Sequence, residues 1–573
     1  MDPIDRNDAG APAAKPTTLN DTLLFWACFM AIVATAFGFV VRTQIIKDWG
    51  AEFNLTKTQQ GQIFGVGLWP FAISIVLFSL IIDRVGYGVA MGFAFLCHVG
   101  SAILTILTPQ IAGDDPVKGY WTLYIATFIV ALGNGTVEAV TNPVVATLFT
   151  REKTKWLNRL HGGWPGGLVL GGILALAMGN VAWQWKVALI FLPVIAYGVM
   201  MLGRTFPINE RVTAGVSYRS MLQQVGFFGA AIVASLIVFE LANDFTDLGW
   251  IFGPNAKLLP GWTERSAFTV GTTAVTMDVV AKVGLVVLIS GAFGLAVGSF
   301  GQPLFVFLLL IMVPLATTEL GTDSWIGDLM GPSMEQMGLS GGWVLIYTSA
   351  IMLVLRFFAG PIVHKLSPLG LLCASALVAA CGLMFLSKAT GGMILAAATL
   401  YGFGKTFFWP TMLGVVAEQF PKGGALTLNT CGAVGMLAVG VVGTSFLGYN
   451  QDSRIDQGLK AKDPALYAKV VGDTKTSVFG SYQALDEAKV AALDPGVADK
   501  KDQVQKNLIE EIGFDAKKNA LATVAILPCI MFASYLALIL YFRSKGGYKP
   551  QMIISDKEEE LLMTGGAMGP ADM

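Results

Sequence analysis

The sequence predicts an all-α membrane protein of two six-helix bundles related by a pseudo-two-fold axis, with a two-helix insertion between them. Three observations carry this. The 573 residues are 54% hydrophobic and 13% charged, with a mean hydropathy of +0.63, whereas a soluble domain carries about 25% charged residues. Apolar runs long enough to span a bilayer recur along the chain. And one early stretch, Ala131-Leu-Gly-Asn134-Gly-Thr-Val-Glu138-Ala-Val-Thr-Asn142-Pro143, has a late counterpart in Tyr401-Gly-Phe-Gly-Lys405-Thr-Phe-Phe-Trp409-Pro410. Superposing Pro143 on Pro410 aligns Gly135 with Gly402, Glu138 with Lys405 and Asn142 with Trp409. An acid in one half then meets a base in the other at the same depth.

Taken in order, Met1–Asn20 is polar and of mixed charge. It lacks a basic segment leading into a short apolar core with a cleavage site, so the first apolar run is predicted to remain as a helix. Spanning runs follow near 22–45, 61–82, 89–108, 119–149, 160–180 and 183–203. Two lie near 224–243 and 278–299. Six more lie near 302–328, 342–363, 368–388, 391–418, 423–448 and 519–543. That is about fourteen spans. The expected divisions are a tail (1–21), an N-terminal bundle (22–203), a central linker with two extra spans (204–300), a C-terminal bundle (301–543) and a second tail (544–573). The C-terminal bundle includes an outer loop, 450–518, whose Ala, Lys, Asp and Glu content suggests short amphipathic helices.

An even span count puts both termini on one side. The short connections there carry Arg84, Arg151, Lys153, Lys155, Arg159, Arg204, Arg211, Arg219, Lys365, Lys422, Arg543, Lys545 and Lys549. Their excess predicts cytoplasmic termini in the cell (inner) membrane. Nothing basic enough for nucleic acid occurs. The six cysteines lie within apolar runs without metal-ligand spacing. No GxxxxGK[ST] loop is present, so ATP is not the expected drive. No nucleophile-and-base set or metal cluster marks an enzyme, and no cofactor is called for.

The halves repeat elsewhere too. Asp83-Arg84-Val-Gly86-Tyr-Gly88 ends the second run, and Gly360-Pro361-Ile-Val-His364-Lys365 lies at the equivalent place. Leu157-Asn158-Arg-Leu-His161-Gly-Gly-Trp164 has its counterpart in Leu426-Thr-Leu-Asn429-Thr-Cys-Gly. Transporters built from such repeats bind substrate near the midplane between the halves. The Asp83–Gly88 turn resembles the signature loop of the major facilitator superfamily. Within it, Asn134–Pro143 resembles the glutamate-bearing fourth helix of the fucose permease-like sugar:proton symporters. Leu157–Gly163, Glu319-Leu-Gly-Thr-Asp-Ser-Trp325 and Phe408-Trp409-Pro410-Thr411 are similar to that family's patterns in helices five, seven and ten. Where that family's first helix carries Asn-Asp, this chain reads Gln44-Ile45. The resemblance implies a monomeric symporter with an Asp83, Arg84 and Gly86 gating motif.

Glu138 is the first candidate, as proton acceptor or substrate ligand, because an intramembrane carboxylate needs a cavity or a partner. Asn134, Glu138 and Asn142 recur every four residues and share a helix face. Lys405 is expected to face Glu138 across the cavity or to bind an anionic substrate group. Arg42 and Glu319 form a second, nearly matched base and acid. Gln44, His161 and Asn429 suit hydroxyl recognition, and Trp409, Trp164 and Trp325 suit stacking on a sugar face. The expected function is transport of a small polar solute, a sugar first, by alternating access with a proton or other coupling ion. The alternatives are a small organic anion held by Arg42 and Lys405, and an integral membrane enzyme or channel.

Overall fold

The structure, a computed structural model, describes residues 18–244, 266–270, 273–335, 337–477, 480–486, 489–490, 492–493, 500–553 and 555–556. Most of both expected tails, and the side chain of Trp325, lie outside the described residues. The principal helices of the first half are α1 (Leu19–Glu52), α2 (Trp69–Val85), α3 (Tyr87–Ile106), α4 (Pro116–Leu148), α5 (Lys153–His161), α6 (Gly163–Ala177) and α7 (Phe191–Met201). Two more, α8 (Tyr218–Asp244) and α9 (Met277–Val297), lie between the halves. The second half holds α10 (Pro303–Ala316), α11 (Thr322–Glu335), α12 (Gly342–Phe357), α13 (Ala359–Leu366), α14 (Pro368–Leu386), α15 (Met393–Lys405), α16 (Phe408–Gln419), α17 (Gly424–Ala438), α18 (Ser445–Lys462), α19 (Lys500–Val524) and α20 (Ile526–Ser544).

Among the described residues, twelve helices are long and apolar enough to cross a membrane. They become thirteen if α12 and α13, bent by 68°, make one span. The expectation of about fourteen spans counted the run 391–418 as well. That run breaks into α15 and α16, each too short to qualify alone. Pro410 offers no N–H, and its ring crowds the carbonyl of Thr406, so the helix cannot continue undisturbed.

Local chemistry sets the ends. Thr18 and Asp21 close a capping box before α1. Asp115 caps Val117 and Lys118 at the start of α4, with Pro116 in the first turn. Gly86 turns the chain from α2 into α3 at φ +84°, a conformation glycine adopts without strain. Gly135 lets α4 lie directly on α2, since a Cβ there would strike the Phe71 carbonyl and Ser74. Large apolar side chains such as Leu77, Val89, Leu96, Leu170, Leu192 and Leu295 point outward, as a lipid-facing surface requires.

The halves are locked together on the side of the termini. Lys153 pairs with Glu210 at 2.6 Å and donates to the Ala417 carbonyl at 3.4 Å. Glu418 accepts from the backbone N–H and hydroxyl of Thr154. The Tyr548 hydroxyl also donates to Glu418, at 2.8 Å. Asn158 reaches Thr411 at 3.1 Å. In the expected gating motif, Asp83 pairs with Arg211, while Arg84 lies 6.0 Å from the ring centre of Tyr218.

In the stretch 450–518, where composition suggested short amphipathic helices, the described residues also hold longer helices and a hairpin. α18 and α19 run on beyond the apolar zone and carry a short helix (Pro464–Val470) and a hairpin, β1 (Val471–Ser477) with β2 (Gly480–Leu485). Leu459, Leu466, Val470 and Ile512 form a small core there. That core shares no residue with the main one, so the extension should be separable. Replacing residues 463–499 with a short Gly-Ser linker is expected to leave the purified protein monodisperse, with its thermal transition unchanged within about 4 °C. Aggregation on size exclusion would show that the spans depend on it.

Candidate functional site

Three prolines organise the middle of the molecule. Each leaves the carbonyl four residues earlier without its helical donor. Pro143 releases Ala139, Pro165 releases His161 and Pro410 releases Thr406. In an apolar surround such a carbonyl must be satisfied from elsewhere. Asn429 of α17 donates to Ala139 at 3.0 Å, across the two halves. Arg356 of α12 donates to both others: Nη1 to His161 and Nε to Thr406, each at 2.7 Å. Its Nη2 reaches Glu319 Oε1, also at 2.7 Å. The other Glu319 oxygen accepts the backbone N–H of Trp409 at 3.1 Å. Arg356 and Glu319 are each 1% exposed.

On the facing half, Asn142 bridges two side chains. Its Nδ2 donates to Glu138 Oε2 at 2.7 Å, and its Oδ1, which can only accept, takes the Nε2 proton of His161 at 2.8 Å. Glu138 has no cation within ion-pair distance among the described residues. A small cavity lies between the halves here, lined by Phe71, Glu138, His161, Trp164, Glu319 and Arg356. Leu320, Trp409 and Met436 complete it. Above it, away from the termini, a second small cavity shares Phe71, Trp164, Leu320 and Met436 with the first and adds Asn134 and Asp323.

Several expectations need correction. Lys405 does not face Glu138. It pairs with Asp323 and lies over the Tyr401 ring at 5.2 Å. Asp323 belongs to its own half and lies one helical turn beyond Glu319, so the ammonium is neutralised without crossing the cavity. Arg42 does not meet Glu319; it donates to the Gly38 carbonyl at 3.2 Å and to Ser101 at 3.0 Å. Gln44 makes only a long contact, 3.5 Å, to the Gly172 carbonyl of α6. Asn429 Nδ2 is committed to a backbone carbonyl while its Oδ1 has no partner among the described residues, and Asn142 holds the Nε2 of His161. Asn134, Glu138 and Trp409 do line the cavities, and Asn142 supports Glu138. Sequence reading passed over Arg356, Asp323 and His98. The signal was present: each is an ionisable residue inside an apolar run.

A family model described as Major Facilitator Superfamily matches residues 23–443. No curated protein sequence matches the chain. Among solved structures, the human organic anion transporter MFSD10 (TETRAN) superposes at a TM-score of 0.51 with 11% identity, covering 91% of this chain and all of that one. The proton:xylose symporter XylE, bound to 6-bromo-6-deoxy-D-glucose, does so at 0.50 with 16% identity, over 78% of this chain and 91% of that one. A bacterial homolog of the human lysosomal transporter Spinster, inward-facing and unoccupied, does so at 0.53 with 12% identity, over 94% and 100%. At these identities the likeness is one of fold.

Arg356 should be the costliest single loss. Arg356→Met strands a buried carboxylate and is expected to destabilise by about 3–5 kcal/mol. Arg356→Met/Glu319→Leu should lose less than Arg356→Met alone, because no charge is left unpaired. Thermal unfolding in detergent compares the three proteins.

Proposed function

The chain belongs to the major facilitator superfamily, a family of membrane transporters rather than enzymes, and from that premise we propose that it moves a small polyhydroxylated solute by proton-coupled alternating access. One observation carries the reading. Glu138 is a carboxyl in the cavity between the halves, held by Asn142 and lacking a cationic partner. Only one of its oxygens has a protein donor among the described residues, so the other is available to a proton or a hydroxyl. Through Asn142 and His161 it is joined to Arg356 and hence to Glu319 in the opposite half. A proton gained or lost at Glu138 therefore acts on a contact between the halves, and a coupling ion can shift two conformations only through such differential interaction.

The cavity suits a sugar-like body. Phe71, Trp164 and Trp409 offer aromatic surfaces, and carboxylates accept from hydroxyls. The organic-anion alternative that used Arg42 and Lys405 retains only Arg42, because Asp323 already holds Lys405.

We assign both termini to the cytoplasm, supported by the Lys and Arg of the short connections on that side. The contacts of Lys153, Thr154 and Asn158 then make this the cytoplasm-closed state. We also keep the six-two-six division of the chain as a proposal, with 204–300 as linker and 301–543 as the second bundle, and a monomer as the working unit.

Uptake into proteoliposomes tests the coupling. Glu138→Gln is expected to lower pH-gradient-driven accumulation about tenfold or more while exchange between equal pools continues. Undiminished gradient-driven accumulation in Glu138→Gln would refute proton coupling at this residue.

A further inference from the structure

A third cavity opens further from the termini. It shares Phe39, Phe64, Gly67, Leu68 and Asn134 with the one above Glu138, so the three form a continuous series. Arg42 lines this outermost cavity and is 8% exposed. Its guanidinium touches only neutral oxygens, the Gly38 carbonyl and the Ser101 hydroxyl. The Ser101 hydroxyl itself donates to the Ala126 carbonyl at 2.7 Å. Arg42 Nε has no partner, and no carboxylate lies within ion-pair distance among the described residues. Arg356 and Lys405 each have an acid. Arg42 does not, and a nearly buried, uncompensated guanidinium is costly.

The second lining group is oriented by a chain of hydrogen bonds. Asn134 Oδ1 can only accept, so the His98 Nε2 proton, 2.9 Å away, must donate to it. In the neutral ring Nδ1 is then an acceptor, and it takes the Tyr197 hydroxyl proton at 2.9 Å. This relay turns the oxygen of the Asn134 amide away from the cavity and leaves its two N–H groups free among the described residues. Arg42 and Asn134 thus present donors and no acceptor.

We propose that Arg42 and Asn134 form an outer docking site for a carboxylate, and that the transported solute is a sugar acid, a polyol carrying one carboxylate. Arginine's planar fork matches a carboxylate, and the aromatic-lined cavity around Glu138 takes the hydroxylated body. Asp323 and Glu319, the other carboxylates along the route, are paired with Lys405 and Arg356, which offsets their repulsion of the anion. His98 and Tyr197 are positioning residues. The proposal rests on the reading of the chain as a polyol transporter, but its test is equilibrium binding, which does not depend on coupling at Glu138.

The full-length protein in detergent is titrated calorimetrically with D-gluconate, D-glucuronate, D-glucose and D-glucitol. At least one of the two acids is expected to bind about tenfold more tightly than the neutral compounds. Arg42→Gln should remove that preference and leave the neutral affinities unchanged. Arg42→Lys, which keeps the charge, should retain part of it. Tyr197→Phe, which releases the relay, should weaken acid binding several-fold without affecting glucose or glucitol. The proposal is overturned if neither acid binds, if acids and neutral polyols bind equally, or if the preference survives in Arg42→Gln.

Discussion

A carbonyl released by proline inside a bilayer has no water to turn to, and that constraint shapes the centre of this molecule. Pro143, Pro165 and Pro410 each release one. Asn429 answers the first from the opposite half. Arg356 answers the other two and is fixed in turn by Glu319. The breaks between α5 and α6 and between α15 and α16 therefore sit at the cavity, where a side chain can reach the exposed backbone. Irregular backbone at membrane depth is tolerated only where protein or a cavity covers it. Arg356 thus ties together a break in each half, and any movement that parts the halves must find new partners for it.

The distribution of charge follows from the same economy. Arg356 with Glu319 and Lys405 with Asp323 are pairs within the second half. Neither requires the bundles to stay together, so the ionic cost of burial is met in both open and closed arrangements. What crosses between the halves at mid-depth ends on backbone carbonyls: Asn429 to Ala139, and one arm of Arg356 to His161. On the side of the termini the cited crossing contacts run from Lys153 to the Ala417 carbonyl, from Thr154 to the Glu418 carboxylate and from Asn158 to the Thr411 hydroxyl.

Much was legible in the sequence. Composition and apolar run length determined a polytopic helical membrane protein, because a bilayer admits few other solutions. The internal match of Glu138 with Lys405 and of Pro143 with Pro410 pointed to two helices that do line the cavity, through Glu138 and Trp409. The four-residue spacing of Asn134, Glu138 and Asn142 put them on one face, and they do line or support one route. The Asp83–Gly88 turn pointed to the major facilitator superfamily, as the family match does. All of these are properties of periodicity or local pattern, which survive without knowledge of neighbours.

Partnership was another matter, and only the tertiary structure decided it. Equal depth in two halves does not make Glu138 and Lys405 a pair when Asp323, one turn from Glu319, lies within reach of the ammonium. Asn429 looked like a ligand because it is polar within an apolar run; its Nδ2 is taken by a carbonyl that a proline, far away in sequence, set free. Arg42 looked like one half of an ion pair and has no acid within ion-pair distance among the described residues. The span near 391–418 looked continuous because hydropathy does not register a missing N–H. Residue types fix which groups must be satisfied, but which group satisfies which depends on distances across the fold that no spacing along the chain encodes.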